Sequence, residues 1–217
     1  MGTAFHQEKE HTTIRQRWKA SFGNKTFKTK FIVAFSVLIV VVICLPFFFS
    51  YIEKRSGIEL DDIILRNLLP NNVSLFIFGV MWSVTLLMLV RAVQQPSIFI
   101  LLLSSFTLLT LVRIVSIWSF ALNPPPGLIV LQDPLSNFFY GQSFVTRDLF
   151  FSGHTATMFL MFLCLQKKTD KYIALAAALT VGFLVLLQHV HYTIDVAAAP
   201  ILTYIAYRGA RAWLKLL

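Results

Sequence analysis

Charge is what this chain has least of. Only 13% of its 217 residues are Asp, Glu, Lys or Arg, where a soluble domain carries about a quarter. With 57% hydrophobic residues and a mean hydropathy of +0.71, the composition excludes an ordinary soluble enzyme and indicates a membrane protein. Linkers are also missing. No Gly/Ser-rich or charge-rich break divides the sequence, so one membrane domain is expected over 31–217, preceded by a basic tail over 1–30. Cysteine is scarce. Cys44 and Cys164 both lie in apolar runs without metal-ligand spacing, and read as apolar filler. Residues 1–30 are too long and polar to front a cleaved signal peptide, and no small-residue cleavage site follows the first apolar run, so an uncleaved anchor is expected. No internal repeat and no low-complexity tract is present.

Acidic residues are scarcer than basic ones, ten against nineteen, for a net charge of +9. Their placement argues against a nucleic-acid partner. Seven Lys/Arg fall in the first thirty residues, and most of the rest flank apolar runs, a pattern that orients membrane proteins. Arg15, Arg17, Lys19, Lys25, Lys28 and Lys30, with Trp18 and Phe22, suit an anionic inner leaflet. The same residues would serve equally as a disordered tail with a topological role alone.

Apolar runs long enough to span a bilayer occur near 31–52, 73–93, 97–120, 149–166, 171–190 and 193–215. The expected fold is therefore all-α, with six transmembrane helices in one bundle. Lys and Arg alternate between the connecting segments: fourteen fall on one side and three on the other, with Arg113 and Arg147 set apart. Both termini are expected to be cytoplasmic. The starts of the fourth and sixth runs and the end of the third then meet near the non-cytoplasmic surface. The 121–146 segment has no Lys or Arg and is long for a connection. Pro124-Pro125-Pro126-Gly127 makes it extended, and Leu128 to Leu131, Phe138, Phe139 and Tyr140 are interfacial in type. It reads as a stiff connector packed on the bundle or as a surface element flanking lipid access.

Two polar motifs interrupt this background: Arg147-Asp148 followed by Ser152-Gly153-His154-Thr155, and His191-Tyr192-Thr193-Ile194-Asp195. Ionisable groups at the edge of a bilayer are costly and mark sites. Four residues apart on a helix, His191 and Asp195 share a face. The carboxylate can accept the Nδ1–H, fix the tautomer and leave Nε2 as nucleophile. His154 follows a tight backbone at a helix start, where free N–H groups attract phosphate, and is placed to protonate a leaving alkoxide. Arg113 and Arg147 are candidate phosphate clamps. Asp148 is a candidate for orienting His154 or binding a head group. Ser152, Gly153 and Tyr192 complete the candidate substrate-binding set. The bland alternatives are a self-satisfied His–Asp cap, a polar helix cap at Ser152 or Thr155, a buried Arg113–Asp148 or Arg113–Asp195 pair and a snorkelling Arg147. His189 reads as a supporting or surface residue, and His6 and His11 as irrelevant tail residues. Two His and two Asp without metalloenzyme spacing give no metal assignment, and no cofactor is expected.

These motifs resemble the membrane type 2 phosphatidic acid phosphatase superfamily, and within it the sphingomyelin synthase-like branch. Asp148, six positions before His154, and the Pro-rich stretch after Arg113 carry the likeness to that branch; the motifs cover about residues 105–200. The resemblance implies a six-helix bundle with an exoplasmic site. It also implies a phosphohistidine at His191 oriented by Asp195, with His154 as the acid and no metal. The general phosphatase pattern has a Lys-rich first motif ending Arg-Pro, which is not evident here, and an Arg where this chain has Val185. The branch's additional catalytic Glu has no clear counterpart. The expected activity is lipid phosphotransfer: a phospho-head group passes from a glycerophospholipid to ceramide or another lipid alcohol. Hydrolysis of a lipid phosphate by the same centre is the alternative, and a non-catalytic membrane protein is a third reading. A transporter lacks the paired broken helices it needs.

Overall fold

The computed structural model describes residues 12–131 and 145–215; Phe138, Phe139, Tyr140, His6 and His11 lie outside them. All regular structure among the described residues is helical apart from an isolated bridge between Ile58 and Leu122. Among the described residues eight helices follow in order: α1 (Ile14–Gly23), α2 (Lys25–Glu53), α3 (Ile63–Arg66), α4 (Ser74–Gln94), α5 (Pro96–Ser119), α6 (Gly153–Cys164), α7 (Lys168–Leu187) and α8 (Thr193–Leu214). Six of them fall on the six apolar runs.

Local chemistry sets their ends. Thr13 and Gln16 form a capping box at α1, and the Asn24 carboxamide accepts from the N–H groups of Thr26 and Phe27 at α2. Pro96 opens α5 at the first position, where its missing N–H costs nothing. Ser152 caps α6, accepting from Thr155 N.

The shortest of the six long helices is the most buried. α6 packs against α4, α5, α7 and α8, and its Ala156, Met158 and Leu160 are fully enclosed. α7 turns Ala174, Ala177, Ala178 and Val181 inward, small side chains that let helix backbones approach closely in a membrane. α2 is the opposite case, packing mainly on α1 and α5. Its Ile32, Val40, Ile43 and Phe47 project outward. A helix that is apolar on its outer face has lipid as its solvent.

Four helices are long and apolar enough to cross a membrane: α2, α4, α5 and α7. α6 has 12 residues, about 18 Å of rise against a hydrocarbon core near 30 Å. The expected run 149–166 is helical only from Gly153; the chain ahead of it bends at Phe150, whose φ is 56°, and at Phe151. α8 has 22 residues but contains Pro200 and carries Arg208 and Arg211 near its end.

The two ends of the bundle are tied differently. At the end that carries the termini, Trp18 Nε1 donates to Val93 O at 2.7 Å and its ring meets Phe99 edge-on. There Arg91 also binds Asp170 through Nε at 2.6 Å and Nη2 at 3.3 Å, joining the α4–α5 turn to the start of α7. The tail is therefore helical and docked from Ile14 onward. At the other end the long connections are stitched to each other and to α7–α8. Asn123 exchanges two hydrogen bonds with Gly57. A Cβ at Gly57 would sit 2.6 Å from the Leu122 carbonyl carbon, so only glycine allows this approach. The Gln188 side chain donates to Ser74 Oγ and Ile129 O and accepts from Val73 N.

Candidate active site

Both motifs lie at this stitched end and are bonded to each other, with Ser152 N donating to Asp195 O at 3.0 Å. His191 is not on a helix. It stands one residue before the N-cap Tyr192, and Asp195 is the third residue of α8. The helical face expected for the pair is replaced by a helix-start arrangement that achieves the same contact. Asp195 Oδ2 accepts from Tyr192 N at 3.1 Å and lies 3.3 Å from His191 Nδ1. Both side chains are buried. A carboxylate at the positive end of a helix is stabilised there, and this one holds the imidazole so that Nε2 remains for chemistry.

His154, the second residue of α6, faces His191 with ring centroids 6.1 Å apart and planes at 60°. Phe78 covers the other side of His154 at 6.3 Å.

Arg113 reaches from α5 to the start of α6. Its Nη2 donates to both Asp148 oxygens, at 2.6 and 2.7 Å, and its Nη1 to Phe151 O at 2.7 Å. The guanidinium lies directly against Gly153, where a Cβ would meet Cζ at 2.6 Å. The fork is thus spent on protein groups. Arg113 pins the bent approach to α6 through Asp148 and the Phe151 carbonyl, and Asp148 lines the cleft.

That cleft has a volume of about 280 Å³. Leu45, Phe48 and Phe49 of α2, Met81 of α4 and Phe106 of α5 form hydrocarbon walls, and Asp148, Gly153 and His154 form its polar end. Arg147, Ser152, His191, Tyr192 and Asp195 are not among its lining residues. The Arg147 N–H is held by Glu53 Oε1 at 2.7 Å. Tyr192 is fully buried; its hydroxyl donates to Asn123 O and accepts from Leu60 N. Its role in the structure is to anchor the outer connections. His189 is buried rather than superficial, between the carbonyls of Pro126 (2.8 Å) and Leu68 (3.1 Å). Ser152 is enclosed as the α6 cap. No group of three or more His, Cys, Asp or Glu suited to a metal ion occurs among the described residues.

Two carboxylates emerged only in three dimensions. Glu53, at the end of α2, accepts from Thr146 N, Thr146 Oγ1 and Arg147 N, fixing the chain just ahead of Asp148. Asp62 caps α3 through Ile64 N and Leu65 N and also binds Thr193 N at 2.6 Å and Thr193 Oγ1 at 3.0 Å. In the sequence both sit in a charged connecting segment with Lys54, Arg55 and Arg66. Burial pushes the Asp62 carboxyl up, but the Thr193 and Leu65 N–H groups, with the Thr193 hydroxyl and Ile64 N–H, outweigh it and hold the pKa below its ordinary 3.8. A lowered folded value stabilises above 3.8 and is lost as pH falls through that lowered value. Thermal midpoints in detergent are expected to drop in that acid window, and Asp62→Asn is expected to remove this share of the pH dependence. Parallel curves for the two proteins would show that Asp62 does not lock α8.

Searches of curated proteins and of solved structures return no match to this chain. The family model described as PAP2 superfamily C-terminal matches residues 147–210, the segment holding both motifs and α6 to α8, and this match supports placing the chain in the type 2 phosphatidic acid phosphatase superfamily.

Proposed function

We propose that the protein is an integral-membrane lipid phosphotransferase working through a phosphohistidine without a metal. Members of the matched superfamily are generally phosphatases or phosphotransferases acting on lipids. The observation that carries the finer reading is the cleft. Its walls are hydrocarbon and its far end presents His154 beside Asp148; the His191 ring, its centroid 6.1 Å from that of His154, pairs with Asp195 outside the lining. Such a shape takes an acyl-bearing substrate with its phosphate at the histidines.

His191 Nε2 attacks the phosphorus of a glycerophospholipid, and the P–O bond to the diacylglycerol oxygen breaks. His154 in its imidazolium form gives that oxygen its proton, and diacylglycerol leaves. Neutral His154 then takes the proton of a lipid alcohol such as ceramide. Its oxygen attacks phosphorus, the P–N bond breaks, and His191 is restored. Asp195 stabilises positive charge on His191 throughout. With a lipid phosphomonoester as donor and water as acceptor, the same centre is a lipid phosphate phosphatase.

The proposal includes six spans, with α6 and α8 completing the bundle, both termini cytoplasmic and the site on the opposite face. The alternation of Lys and Arg between the two ends supports this orientation. The basic residues of α1 would then lie against the anionic leaflet. The purified chain in liposomes, given fluorescent ceramide and mixed phospholipid donors, is expected to form a phosphosphingolipid. Free phosphate from phosphatidate with no lipid product would make it a phosphatase instead.

A further inference from the structure

A second groove lies at the opposite end of the bundle. α2 meets α5 where Thr107 Oγ1 donates to Ala34 O, beside the groove. The active-site cleft uses the α5 stripe Phe106, Thr110, Arg113 and Ile117. The second groove, of about 250 Å³, uses Ser104, Thr107, Leu108 and Leu111, which the helical period places on the other side of α5. Val37 of α2 and Gly209 and Trp213 of α8 close it.

We infer that this groove binds one acyl chain of an anionic phospholipid. Three observations favour that occupant. α2 and α5 both qualify as membrane spans, so hydrocarbon is what surrounds the groove. Its volume equals roughly eight water-sized units at ~30 Å³ each, a length of chain rather than a whole lipid. Its one unsatisfied polar atom is Ser104 Oγ, buried and without a hydrogen-bond partner, which suits an ester carbonyl.

The head-group preference follows from charge. Lys30 Nζ lies 5.8 Å from the centroid of the Trp213 ring at the groove and has no carboxylate partner among the described residues. Lys25 and Lys28 precede it, Arg208, Arg211 and Lys215 flank Trp213, and neither 12–52 nor 196–217 contains an Asp or Glu. A phosphate with one uncompensated negative charge is favoured there over a zwitterion.

The inference rests on membrane placement alone and is independent of the chemistry at His191. The full-length chain is placed in phosphatidylcholine vesicles containing phosphatidylglycerol with a mid-chain diazirine, and photolabelled positions are mapped by mass spectrometry. Ser104 and Leu108, which line the groove on α5 and are sheltered from the outer surface, are expected to label at least fivefold above Ile43 and Phe47, which are exposed on α2. Excess unlabelled phosphatidylglycerol should reduce the groove label fivefold, and added phosphatidylcholine should leave it unchanged. Lys30→Gln should lower the groove label about threefold, and Val37→Trp should fill the groove and abolish it. The competition on the native chain stands even if Val37→Trp fails to fold. Groove labelling equal to that of Ile43 and Phe47, or equal competition by phosphatidylcholine, would overturn the site. Absence of label at all four positions would overturn the membrane placement with it, while leaving turnover at His191 to be measured separately.

Discussion

Replacing His191 with alanine is expected to remove turnover to the limit of detection, a loss of about 10⁴-fold or more. A covalent mechanism has no route around a missing nucleophile, and residues that act as a unit fail together. The fold should survive. His191 stands ahead of α8, whose start is still held by Asp195 on Tyr192 N and by Asp62 on Thr193. Asp195→Asn keeps the shape but removes the charge that orients the ring, and is expected to cost about 10²–10⁴-fold, the range seen when the carboxylate of a catalytic triad is neutralised. His154→Ala should slow both half-reactions while leaving the nucleophile in place. Initial rates with folded protein, verified by an unchanged thermal midpoint, test each case. Residual activity above one-tenth in His191→Ala would assign the nucleophile elsewhere.

Gly153→Ala is expected to cost about 10²-fold in kcat, the scale on which a 1 Å misplacement acts. The new methyl would fall 2.6 Å from Arg113 Cζ. A flexible side-chain tip ordinarily swings aside at little cost. This tip is held by two bonds to Asp148 and one to Phe151 O, so moving it releases the segment that leads into α6 and, with it, His154. Arg113→Lys should fall in the same range, because an ammonium cannot span Asp148 and the Phe151 carbonyl as the fork does. The double variant should be little worse than either single one, since both break the same contact. Additive losses would show that Gly153 and Arg113 act separately.

Much of this arrangement was legible in the residues. Hydropathy located six helices because a bilayer demands long apolar runs, and the His191–Asp195 spacing indicated a contact that exists. Other features depend on distances that a linear pattern does not carry. The contact between His191 and Asp195 forms around a helix start rather than along a helix, because Asp195 also serves the Tyr192 N–H. Arg113, a candidate phosphate clamp in the sequence, is instead the brace for Asp148. Glu53 finds Thr146 and Arg147, more than ninety residues away, and Asp62 finds Thr193 131 residues away. No local signal separates them from solvated loop charges. The start of α6 was set four residues too early because Leu149 to Phe151 are apolar enough to continue the run, while the chain bends at Phe150 and Phe151 and Arg113 holds the Phe151 carbonyl.

The phosphohistidine is the central claim, and trapping it is the most direct test. The full-length protein in liposomes is mixed with a phospholipid labelled in its phosphorus and head group, then quenched in base, where phosphohistidine survives, and its peptides are mapped. The account predicts label on His191, none in His191→Ala, and its discharge when a lipid alcohol is added. Turnover in the native protein with no labelled histidine, or with the label on His154, would contradict it.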